Sequence, residues 1–294
     1  MSSVIVSSAG LTKRYGDVTA LDRVDLEVTR GSVYGLVGPN GAGKTTMLGV
    51  LAGLRTATAG STAVETASIG VLPDTPQFDR WLTGREVVAL SRNLAGDPVP
   101  PSAVDDVLET AGLTDAAGRR VKGYSRGMLQ RLGLASVIVT EPDLLLLDEP
   151  AAALDPAGRR EVLDLILALR GKSTVLFSSH ILDDVQEVCD DIGILTRGQI
   201  MCQGSLEGLL NRFVLDTFVV KLRSGAEDVE QALASEPWVK NVLVEGDKKV
   251  VVDVADVATA ELRLVQVLAA TGHRVASVTK GTTSLEDVFL EVTR

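Results

Sequence analysis

Short apolar runs alternate with stretches of helical spacing through the first two-thirds of the chain. That texture predicts an α/β domain built on a mostly parallel sheet. Residues 32–37 read as a strand, followed by a glycine-rich turn and helical spacing through Thr45, Leu48, Leu51 and Leu54. The run 144–147, four leucines closed by Asp148, is of the buried-strand type. Residues 174–178 form another such run, followed by a predicted helix over 181–188. Segments 192–195 and 200–203 flank Arg197-Gly198 as the arms of a hairpin. Between 80 and 139 the pattern is helical and loop-rich, a helical insertion divided in two by Asp97-Pro98-Val99-Pro100-Pro101.

Past residue 211 the pattern changes. Strands at 217–223, 239–245, 249–254 and 274–279 and helices at 226–235 and 258–270 give the order βαββαβ. This is the split-βαβ, ferredoxin-like plan of a small α+β domain. Ser284 then opens a last helix, with Asp287 at capping-box spacing. The expected domains are residues 1–212 and 213–294.

Bulk properties narrow the functions. The chain has 294 residues, a net charge of −10 and a pI near 4.8. Without a positive footprint, nucleic acid is excluded as the expected partner. No apolar stretch reaches the roughly 18 residues a membrane helix requires. The N-terminal segment lacks the basic flank and apolar core of a secretory signal, and two cysteines, Cys189 and Cys202, make a disulfide framework improbable. The expected place is the cytoplasm.

The most specific chemistry is Gly38-Pro39-Asn40-Gly41-Ala42-Gly43-Lys44-Thr45-Thr46, a full match to the phosphate-loop pattern between a strand and a helix. Its glycines let backbone N–H groups converge on a phosphate at a helix N-terminus. Lys44 would reach the β- and γ-phosphates of ATP, and Thr45 would ligate Mg²⁺. The loop alone leaves a small-molecule kinase open; a guanine-reading N-K-x-D is absent from the sequence. Asp148 and Glu149 end a buried run, where paired carboxylates are costly without a cation. Asp148 is the expected Mg²⁺ holder, through water, and Glu149 the residue that orients and deprotonates the attacking water. His180 ends the 174–179 run on the same expected sheet edge and is the candidate donor to the γ-phosphate.

With these residues in hand, the chain over roughly 4–204 resembles the ATP-binding cassette (ABC) transporter ATPases. Tyr124-Ser125-Arg126-Gly127-Met128, followed by Leu129-Gln130-Arg131-Leu132, is similar to the family's signature loop, and Ala153-Leu154-Asp155-Pro156 to the loop after the catalytic Glu. The resemblance implies that Tyr15 stacks on adenine. It also implies that two copies pair head to tail as a homodimer, with Ser125 and Gly127 of one facing the phosphates on the other. A separate membrane permease would hold the subunit at the inner face of the cell membrane. Two positions depart from the pattern. Arg126 stands where a small residue is usual, and Asp74 replaces the Mg²⁺-contacting Gln expected after 69–73, with Gln77 nearby. The C-terminal segment around Ser284–Leu290 is similar to the accessory domain of the drug- and antibiotic-efflux branch, which points to export. A soluble, non-transport ABC ATPase acting in an assembly complex is the alternative.

Overall fold

The structure is a computed structural model describing residues 3–95, 100–152, 154–212, 216–281 and 284–293. The chain divides into two compact units, one running to Leu209 and including Phe289–Arg294, the other Leu210–Val288.

In the first unit the elements run β1 (Val4–Tyr15), β2 (Val18–Thr29), β3 (Val33–Val37), α1 (Lys44–Leu51), β4 (Ala59–Val64) and β5 (Ile69–Leu72). Then come α2 (Gly84–Leu94), α3 (Ala103–Thr110), α4 (Arg126–Ile138), β6 (Leu144–Leu147), α5 (Pro156–Ala168), β7 (Thr174–Ser179), α6 (Leu182–Val188), β8 (Asp191–Thr196), β9 (Gln199–Ser205) and α7 (Leu206–Arg212). A six-stranded sheet has the order β5-β6-β7-β3-β8-β9 and is parallel throughout except for the β8–β9 hairpin. Its inner strands β3, β6 and β7 are buried at every position, which is why they read as largely apolar runs. Burying the four leucines of β6 contributes roughly 6–12 kcal/mol before chain entropy is charged against it. That framework fixes where the strand ends, and with them the polar side chains, must lie.

Two local results differ from the sequence reading. Strands β2-β1-β4 form a separate antiparallel sheet. It went unread because repeated bulges along β1 interrupt the period-two pattern, although Val24, Leu26 and Val28 alternate cleanly inward. Helix α1 stops at Leu51, short of Leu54: Gly53 turns left-handed at φ 71, its N–H reaches the Val50 carbonyl, and Leu54 is left exposed. The helical insertion divides where the prolines predict: α2 ends at Leu94 and α3 starts at Ala103, with α4 following. Asp97, Pro98 and Val99 of the expected break lie outside the described residues, as does Ala153.

The second unit contains β10 (Thr217–Leu222), α8 (Ala226–Ala234), β11 (Val239–Glu245), β12 (Lys249–Val254), α9 (Val257–Ala270) and β13 (Val275–Lys280). The sheet order β11-β12-β10-β13, antiparallel at each pairing, interleaves the strands as a split-βαβ arrangement requires. Its core is Val220, Val250 and Val252 against Val229, Leu233, Leu264 and Leu268 of the two helices. His273, read as a surface residue, is partly exposed and packs against Gly225, where no Cβ would fit, with Nε2 3.1 Å from Asp228. The helix after Ser284, α10 (Leu285–Thr293), starts with the expected cap: the Ser284 N–H and hydroxyl both donate to Asp287.

Candidate functional site

Four neighbouring strands, β5, β6, β7 and β3, deliver Asp74, Asp148-Glu149, His180 and the phosphate loop to one carboxyl edge of the sheet. A cavity of about 460 Å³ opens there. It is lined by Asn40 through Thr46, Ala20, Asp74, Arg126, Glu149, Ala152 and His180. The loop that forms its floor is shaped by close approach. A Cβ on Gly38 would overlap the Leu195 carbonyl oxygen, and Gly43, at φ 111, faces the Ala20 carbonyl in the same way. At Gly41 the added atom would meet nothing, so the cradle is open to a ligand on that side. Helix α1 begins at Lys44 with no side-chain cap and no acidic residue in its first turn. Its orphan N–H groups are left for an anion.

The charged side chains are mutually engaged. Lys44, 6% exposed, donates to the Gly38 and Pro39 carbonyls at 2.7 and 3.2 Å and lies 3.1 Å from Glu149 Oε1. The other Glu149 oxygen is 2.8 Å from His180 Nδ1. Buried Ser178 donates to Asp148 at 2.7 Å and accepts the Glu149 N–H at 2.8 Å, tying the two carboxylate residues to β7. Glu149 holds a left-handed backbone at φ 48, strain of about 1–3 kcal/mol of the kind that persists where the surroundings over-determine a residue. Since Nδ1 faces a carboxylate, it carries the proton in either charge state. Nε2 can then donate to a phosphate only when the ring is doubly protonated.

A divalent cation fits this donor set under one condition. Among the described residues no group of three or more His, Cys, Asp or Glu is placed to hold a metal alone. Asp148 is 7% exposed and is not among the lining residues, whereas Asp74 and Thr45 are. One or two carboxylates, a hydroxyl and room for phosphate and water oxygens suit Mg²⁺, which keeps much of its shell from ligand and solvent.

Other expected residues are placed apart from the cavity. Ser125 caps α4, its hydroxyl oxygen accepting the Met128 N–H at 3.2 Å, and Gly127 has open space where a Cβ would be. Arg126 alone of that loop reaches the chain's own cavity. Asp155 caps α5, accepting the Gly158 N–H with Pro156 at the first helical position. The same helix presents Arg159 to Asp184 of α6, so an ion pair ties the loop at Asp155 to the element that follows His180. Burial raises the Asp184 carboxyl above its ordinary pKa, with Arg159 opposing. Tyr15 ends β1, 45% exposed, with its hydroxyl accepting from Arg55. Sequence reasoning missed Ser178; the signal was two serines closing an otherwise apolar buried strand. No helix among the described residues is long and apolar enough to cross a membrane.

A strand-end phosphate cradle, an acidic pair on the neighbouring strand but one and a helical insertion define a class of nucleotide-driven ATPase. Residues 21–152 match the ABC transporter family. The ABC transporter ATP-binding protein YxlF of Bacillus subtilis (strain 168) is 36% identical over 98% of this chain and 99% of its own length. The daunorubicin/doxorubicin resistance ATP-binding protein DrrA of Streptomyces peucetius is 33% identical, over 98% of this chain and 92% of its own. Among solved structures, the ADP conformation of MJ1267, an ATP-binding cassette of an ABC transporter, superimposes with TM-score 0.63 and 25% identity, covering 70% of this chain and 93% of that one. The chain belongs to the ABC transporter family as an ATP-binding, ATP-hydrolysing subunit.

Proposed function

We propose that this chain powers export of a drug- or antibiotic-like cargo through a separate membrane permease. The observation that carries the catalytic reading is the convergence of Lys44, Glu149 and His180, from three different strand ends, on one cavity. In this reading the loop from Gly38 to Thr46 wraps the phosphates, with Lys44 neutralising the β- and γ-groups. Thr45, Asp148 through water, and Asp74 in place of an amide would hold Mg²⁺, which would supply neutralisation of phosphate charge. Glu149 accepts a proton from the attacking water, and His180 contacts the γ-phosphate. Tyr15 forms a platform for the adenine ring.

The hydroxyl of Ser125 and the open space beside the Gly127 Cα point to a second role. Neither lines the chain's own cavity, which supports a two-fold homodimer in which each signature loop completes the partner's site. Asp155 belongs to the same interface, and Arg126 and Met128 flank it. Export rests on relatives whose names refer to daunorubicin resistance. The test is co-expression with candidate permeases. Mg²⁺-dependent ATPase activity in a detergent-solubilised complex, with cargo efflux lost in Glu149→Gln, is expected. Recovery of an active chain only with soluble partners would overturn the transport reading.

A further inference from the structure

Tyr15 is tied to a residue of the phosphate cavity through a second side chain. A single Arg55 nitrogen, Nη1, donates to the Tyr15 hydroxyl at 3.2 Å and to the Thr46 hydroxyl at 3.3 Å. Thr46 is 8% exposed and lies in the first turn of α1, beside the residues that wrap the phosphates. To reach both, the Arg55 side chain runs back across α1 from beyond its C-terminus. The helix makes way for it at Gly49, where an added Cβ would lie 2.9 Å from both Cδ and Nε of Arg55. The Arg55 N–H also bonds the Gly49 carbonyl at 2.9 Å, so the backbone of the arginine is fixed to the same turn. A face of the ring is covered as well. Lys13 Nζ sits 4.9 Å from the Tyr15 ring centroid and donates to the Thr56 carbonyl, next to Arg55 in sequence.

A half-exposed tyrosine at the end of a hairpin strand would ordinarily sample several rotamers, and ordering it on ligand binding would cost affinity. Here the ordering is already done. The glycine in the middle of α1 is otherwise a poor helix residue, less favourable than alanine there. Its one visible structural consequence is passage for Arg55.

We infer that Arg55 is a positioning residue for nucleotide binding: it fixes the Tyr15 ring against the phosphate loop through Thr46, and Gly49 is the gap that admits it. The inference rests on the reading of Tyr15 as a base platform. Because Arg55 acts through the ring and not on the phosphates, its removal weakens binding of ligands that carry a base and spares those that do not.

The experiment uses the full-length chain and two probes, Mg·ADP and Mg·tripolyphosphate, by titration calorimetry. Arg55→Ala is expected to weaken Mg·ADP about 3- to 10-fold, the scale of one or two lost hydrogen bonds and a freed aromatic. Tripolyphosphate affinity is expected to stay within about twofold, and Arg55→Lys to recover part of the loss. Gly49→Ala displaces the same guanidinium while improving helix propensity, so it is expected to weaken Mg·ADP with no fall in thermal stability. In a Tyr15→Ala background the Arg55 effect is expected to vanish. Equal loss of both ligands would place Arg55 with the phosphate cradle and overturn the inference, as would parental Mg·ADP affinity in both Arg55→Ala and Gly49→Ala. Parental affinity in Tyr15→Ala would remove the platform itself, a failure distinct from that of Arg55.

Discussion

Lys44 and Glu149 are bonded to each other across the site that each must serve. The ammonium and carboxylate are 3.1 Å apart and are 6% and 13% exposed. At an effective dielectric near 20 such a pair attracts by about 5 kcal/mol before desolvation is set against it. Hydrogen bonds to charged groups retain about 1.5–3 kcal/mol net. Phosphate oxygens arriving at Lys44 must loosen this pair, so part of that energy opposes binding. Glu149→Gln removes the charge and keeps the shape. The expected outcome is nucleotide affinity higher by about 1–2 kcal/mol, or about 5- to 30-fold in Kd, in the same variant that loses turnover.

The assay separates this gain from any that dimerisation supplies. Mg·ADP binding is measured by calorimetry at protein concentrations where sedimentation shows a monomer. The apo variant is also expected to melt lower than the parent, because Lys44 keeps its two carbonyl acceptors but loses its counter-charge. His180→Ala provides the contrast: it frees Glu149 Oε2 while leaving Lys44 paired, so no comparable gain is expected. A folded, monomeric Glu149→Gln that binds Mg·ADP no more tightly than the parent would refute the reasoning.

Further outcomes follow from the same geometry. Asp74→Gln, which exchanges a carboxylate for a longer neutral amide, is expected to raise the Mg²⁺ concentration for half-maximal ATPase activity severalfold, read from a Mg²⁺ titration at saturating nucleotide. Arg126→Gly removes a cation from the cavity wall and is expected to flatten the ionic-strength dependence of tripolyphosphate affinity in the monomer. Glu86 and Asp256 cap α2 and α9, and cap hydrogen bonds hold both carboxyls below their ordinary values of 4.5 and 3.8. A depressed folded-state value means the stabilisation is present above the unfolded value and is lost as pH falls through the folded one. Melting temperature is therefore expected to drop below about pH 4.5, with a shallower drop in Glu86→Ala and Asp256→Ala.

What the sequence discloses is what local chemistry fixes. The phosphate loop is legible because each residue in it answers a local demand: no side chain at Gly38, positive φ at Gly43, a cation at Lys44. The buried strands are legible because a parallel sheet covered on both faces leaves no room for polar alternation. Strand β1 is hidden by its own bulges, and the end of α1 by a leucine at helical spacing that a left-handed Gly53 removes from the helix. Pairings across the sheet are illegible for a different reason. Lys44 and Glu149 are far apart in the chain, and their contact depends on β6, β7 and β3 lying side by side, an order that no spacing encodes.

That same distinction separates the two kinds of residue around the nucleotide. Those proposed to touch phosphate sit in short motifs, because a backbone cradle must be contiguous. Those that hold the touching residues in place do not. Ser178 reaches Asp148 and Glu149 from the neighbouring strand, Asp184 reaches Arg159 from the next helix, and Arg55 reaches Tyr15 from the far end of α1. Each supports its client from an element with its own reason to be there, so each can change without altering a motif. Variation among such ATPases in affinity, and in how tightly the loops at Asp155 and His180 move together, is therefore expected to track these supporting contacts. Exchanging Asp184 for Asn would expose that coupling directly. It leaves Arg159 without its counter-charge yet keeps every residue at the cavity, so a fall in turnover with unchanged Mg·ADP affinity would mark a link between the loops, and a fall in both would mark general loss of fold.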